Sequence, residues 1–93
     1  MPSEYEIEIE PMFWIFRLVE SLEEELPDFY GVILGAKLDE DTIRLTGAMG
    51  PWDAHMYDLA LILKDLGFTK VAMMRHKKER VYDLDHLMRK LPH

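Results

Sequence analysis

The sequence predicts an α+β fold of ferredoxin-like type. This is a two-layer sandwich with two helices on one face of an antiparallel sheet, ordered β-α-β-β-α-β, plus a C-terminal strand and short helix. Three observations predict it. Residues 4–10 (EYEIEIE) alternate acidic and apolar without a break, the period of a half-buried strand. Residues 42–68 read as a strand (TIRLTGAM), a glycine turn (GPW) and an amphipathic helix (DAHMYDLALILKDLGF). The remaining stretches are β-rich runs separated by turn residues.

Each element has a local reason. In residues 4–10, Tyr5, Ile7 and Ile9 are expected to face the core, with Glu4, Glu6, Glu8 and Glu10 as a ladder on the other side. Like charges on one strand face repel, so a basic neighbour is expected. Pro11 suits the first position of a helix, and Met12, Ile15, Phe16, Leu18, Val19, Leu22 and Leu26 gather on one helical face before Pro27 ends it. Phe29–Leu38 reads as a strand interrupted by Gly31 and Gly35, which signals a bulge or a close approach. Asp39-Glu40-Asp41 turns the chain, and Thr42–Ala48 returns as a hairpin partner.

A second helix follows Pro51, its apolar stripe being Trp52, Met56, Leu59, Ile62, Leu63 and Leu66, with Gly67 as C-cap. Lys70–Met74 is expected as a strand, 76–79 as a turn and Arg80–Leu84 as the last strand. Asp85 is expected to cap a short helix, His86–Leu91. In the ferredoxin-like order the first strand is central, which would bracket its glutamates with Arg44 on one side and Lys70 and His76 on the other.

Ninety-three residues, 48% hydrophobic with five Gly and five Pro, make one folded domain, 1–93. The absence of Cys excludes a disulfide framework and thiolate metal sites. The first residues lack the pattern of a signal peptide, and no apolar run reaches 18 residues, so a cytoplasmic protein is expected. The net charge of −7 is unevenly spread: residues 1–28 carry nine acids and one base, residues 70–93 seven bases and three acids. Mutual neutralisation is one reading of that asymmetry and a charged partner is the other.

Four stretches are candidates for chemistry or recognition. The turn at Arg44, Gly47, Ala48 and Gly50 precedes a helix N-terminus, where free N–H groups suit an anion. Arg44-Leu45-Thr46-Gly47-Ala48-Met49 resembles the pyrophosphate turn of acetyl-CoA-dependent N-acetyltransferases. That resemblance implies coenzyme A as a ligand, although Met49 stands where the family has a second Gly or Ala, and Asp53 adds a negative charge. His55 and Asp58, three apart on the second helix, are placed to share a proton. The spacing of the histidines offers no metal-ligand set and no residue reads as catalytic.

The basic hairpin Arg75, Lys77, Lys78 and Arg80, with Tyr82 nearby, could contact phosphates and stack a base, against the acidic balance of the whole chain. Finally, Phe13, Trp14, Tyr57 and Leu61 fall off the sheet-facing stripes of their helices, and such surplus apolar surface packs internally or meets a partner. The reading that follows is a small, non-catalytic protein-binding or regulatory module that self-associates or binds another protein. A coenzyme A binder and a nucleic-acid contact are the alternatives.

Overall fold

The structure is a computed structural model that describes residues 4–19 and 29–91. It is α+β, a five-stranded mixed sheet with two helices, compatible with a two-layer sandwich. The strands are β1 (Phe13–Val19), β2 (Phe29–Lys37), β3 (Thr42–Met49), β4 (Lys70–Arg75) and β5 (Lys78–Asp83), and the helices are α1 (Met56–Asp65) and α2 (Leu84–Lys90). A single 3-10 turn, Trp52–His55, leads into α1.

The sheet runs in sequential order, β1-β2-β3-β4-β5, and every pairing is antiparallel except β3–β4, which is parallel. The ferredoxin-like order expected from the sequence is therefore not confirmed. The first strand lies at an edge, and the sheet is mixed because α1 carries the chain across between two parallel strands.

Two segments differ from expectation. Residues 5–12 form no strand or helix, and Tyr5, Ile7 and Ile9 are exposed, not in the core. The glutamate ladder is not bracketed by Arg44 and Lys70; Glu10 instead pairs with Lys37 at 2.7 Å. The expected helix from Pro11 is a strand where it is described, 13–19, and its remainder lies outside the described residues. The run Phe13-Trp14-Ile15-Phe16 explains this. Aromatic and β-branched residues favour the pleated sheet, and apolar residues on both faces satisfy a helical stripe and a period of two equally well.

The rest follows the sequence closely. The β2–β3 hairpin forms with its turn at 38–41, and the two strand glycines mark close approach and bulging. A Cβ on Gly35 would lie 2.7 Å from Cδ1 of Ile43 and 2.9 Å from Cε2 of Phe16. Register shifts fall at Leu18/Val19 and Val32/Leu34, on either side of Gly31. At the end of α1, Phe68 N–H donates to Leu63 O and Gly67 N–H to Lys64 O, with Gly67 at φ +101°, a Schellman ending. The final helix starts earlier than expected, at Leu84, because Asp83 and not Asp85 caps it by accepting from His86 N–H at 3.1 Å. Asp85 pairs instead with Lys64, joining α2 to α1.

The core lies between the helices and one face of the sheet. Ile43, Val71, Leu63 and Leu84 are its largest fully buried side chains. Trp14, Phe16 and Leu18 of β1 pack against it from one edge, and Trp14 meets Phe68 edge-to-face with ring centroids 5.4 Å apart. Among the described residues no helix is long and apolar enough to cross a membrane.

Candidate interaction surface

The pairing registers sort every strand residue onto one of two faces. On the helix side stand Trp14, Phe16 and Leu18, then Ile33, Ile43 and Leu45, then Val71, Met73 and Tyr82. On the other face stand Phe13, Ile15, Leu34, Met74 and Val81, interspersed with Arg17, Arg44, Thr46, Lys70 and Glu79, and Ile15 also lines the cleft beside α1. Their exposures decide the matter: Phe13 is 79% exposed, Ile15 57%, Leu34 45%, Met74 65% and Val81 59%. A sheet face of this composition ordinarily carries polar residues when it faces water, and exposed apolar patches mark interaction sites. The signal in the sequence is the unbroken apolar run Phe13–Phe16, which as a strand puts apolar side chains on both faces.

At the centre of that open face the Arg44 guanidinium donates to Glu79, Nε to Oε1 at 2.5 Å and Nη2 to Oε2 at 3.1 Å. Ala72, register partner of Arg44 on the strand between them, is small enough to let the pair pass over it. The carboxylate raises the pKa of Arg44 by hydrogen bonding and charge. Arg44 is thus committed to an ion pair within the sheet.

The other expected site residues are distributed as follows. Gly47 lies inside β3 at φ +64° and Gly50 just beyond it at φ +100°. A shallow cleft of about 220 Å³ beside β3 is lined by Thr46, Gly47, Ala48, Met73 and Met74, and Arg44 is not part of it. The helix after this turn opens with the 3-10 segment and Asp53.

Phe13 and Trp14, neighbours in a strand, point to opposite faces. Tyr57 is half-buried and Leu61 exposed on α1, so the four apolar residues singled out do not form one patch. In the basic hairpin, Lys77, Lys78 and Arg80 are exposed, and Tyr82 turns toward the core. His55 and Asp58 line a cleft of about 310 Å³ between β1 and α1, walled by Phe16, Leu18, Trp52 and Leu59. No cluster of three potential metal ligands occurs among the described residues.

Comparison of the chain with protein-family models, curated proteins and solved structures gave no match. Function is therefore argued from the surface itself.

Proposed function

We propose that the protein is a small, intracellular, non-catalytic binding module that acts through protein contacts and associates with itself. The observation that carries this reading is the open sheet face, where Phe13, Ile15, Leu34, Met74 and Val81 are exposed around the Arg44–Glu79 ion pair. Burying such side chains stabilises an interface by roughly 25 cal/mol per Å² of apolar area, whereas leaving them in water has no compensating gain.

The test is solution mass by light scattering across a concentration series, for the wild type and a Phe13→Ser/Leu34→Ser variant. A mass that climbs above 11.0 kDa with concentration, and less steeply in the variant, is expected. A wild type that remains at the monomer mass throughout overturns the self-association reading.

A further inference from the structure

We propose that residues 4–10 of one copy add as a sixth strand, parallel, to the outer edge of β5 in a second copy, and that the exchange is reciprocal. The proposal rests on the self-association reading and adds to it a contact of its own, at the sheet edges and apart from the open face.

The segment has the alternating pattern of a strand, and among the described residues it belongs to no strand of the sheet. Ile7 is 95% exposed and Ile9 86%, and residues 5–12 have neither strand nor helix assigned. It leaves the sheet in line with β1: Lys37 N–H donates to Met12 O at 2.8 Å, extending the β1–β2 ladder by one step. The Cα radius of gyration is 15.8 Å, against about 12 Å for a compact chain of this length, as expected for a segment that reaches away from the sheet. Seven extended residues span roughly 23 Å, enough to run the length of a six-residue strand.

As an added strand, residues 4–10 continue the alternation of faces set by β1. Even-numbered residues of β1 face the helices, and Glu10 keeps that side by pairing with Lys37. In the added strand that period puts Glu4, Glu6, Glu8 and Glu10 on the helix side of the sheet plane, and Ile7 and Ile9 on the open side. The β5 edge has the complementary pattern. Lys78 and Arg80 stand on the helix side and Val81 on the open side. Among the described residues neither Lys77, Lys78 nor Arg80 is paired with a carboxylate, whereas Glu79 is held by Arg44. With Glu4 beside Lys78 and Glu6 beside Arg80, Ile7 falls beside Val81. Opposite charges and apolar pairs then meet on their own faces.

Symmetry selects the parallel orientation. β1 and β5 run in opposite directions, from the three antiparallel pairings and the one parallel pairing between them. A two-fold axis normal to the sheet therefore sets the extension of β1 in each copy alongside β5 of the other, both strands running the same way. An antiparallel addition would keep both copies pointing alike and would propagate instead of closing. Among the described residues β5 ends the sheet, and the closed pair gives that edge a strand to bond with.

The experiment is a sedimentation series at low salt on the full chain, with circular dichroism to confirm folding. Four forms are compared: wild type, Glu4→Lys/Glu6→Lys, Lys78→Glu/Arg80→Glu, and all four changes together. A wild-type dimer is expected, weakened at least tenfold in Kd by either reversal and restored by their combination. A dimer indifferent to both reversals overturns the strand exchange while leaving self-association intact. A wild-type monomer overturns both. Continued growth to species beyond the dimer overturns the closed two-fold arrangement.

Discussion

The indole N–H of Trp52 lies 3.1 Å from the carbonyl oxygen of Val32, and 2.9 Å from that of Met49. One donor thus ties the start of the crossover to β2 and to the end of β3, in a nearly buried position. Replacing Trp52 with Phe keeps an aromatic ring there but leaves those carbonyls without it. A loss of about 1–3 kcal/mol is expected, to be read from urea unfolding midpoints.

Gly35 predicts a packing conflict with a built-in remedy. Gly35→Ala brings a methyl group within 2.7 Å of Ile43 Cδ1 and is expected to cost about 1–3 kcal/mol by overpacking. Ile43→Val removes that terminal methyl, so the double variant is expected to be more stable than the sum of the two single changes. Additive losses in a denaturation cycle would refute the contact.

Acid stability follows from two carboxylates. Asp39 titrates below its ordinary value of 3.8, chiefly because Asp41 N–H donates to it, and Asp85 does so chiefly because of Lys64. A carboxylate with a depressed folded-state pKa contributes stability that is full above its unfolded value and lost as pH falls through the folded one. Thermal unfolding between pH 5 and pH 2 is therefore expected to fall less steeply for Asp85→Asn than for wild type, and the exposure of both groups keeps the difference small.

The β4–β5 turn stores backbone strain. His76 and Lys77 have φ of 51° and 65°, a region that suits Asn and Gly in two-residue hairpins. Lys77→Gly is expected to raise stability by up to about 1 kcal/mol, measured as a rise in Tm. An unchanged or lowered Tm would show that the left-handed backbone is not strained there.

Much of the fold was legible in the chain. Ile43 and Leu45 alternate with Arg44 and Thr46, Gly67 supplies the left-handed helix ending, and Asp39–Asp41 breaks two β-rich runs. In each case one local preference agrees with the final structure. Phe13–Phe16 was not legible as a strand because apolar side chains on both faces erase the contrast between the two periods. Residues 4–10 show a different limit: alternation marks a segment able to pair, and says nothing of which strand it pairs with. The open face went unread for the first of these reasons, since Phe13 was placed on a helix with Trp14 when the pleat sets them back to back.

The parallel β3–β4 pairing divides the polypeptide into two parts that close locally. β1, β2 and β3 form a meander, and β4, β5 and α2 a hairpin followed by a helix. The crossover through Trp52 and α1 carries the chain from one part to the other, and they meet along β3 and β4 at the middle of the sheet. Short-range pairing forms quickly, whereas a contact that must first close a loop is slow. Docking of the two halves across Ile43 and Val71 is thus expected to set the folding rate, so truncating either side chain should slow refolding, measured by stopped flow, more than truncating Val81 at the rim.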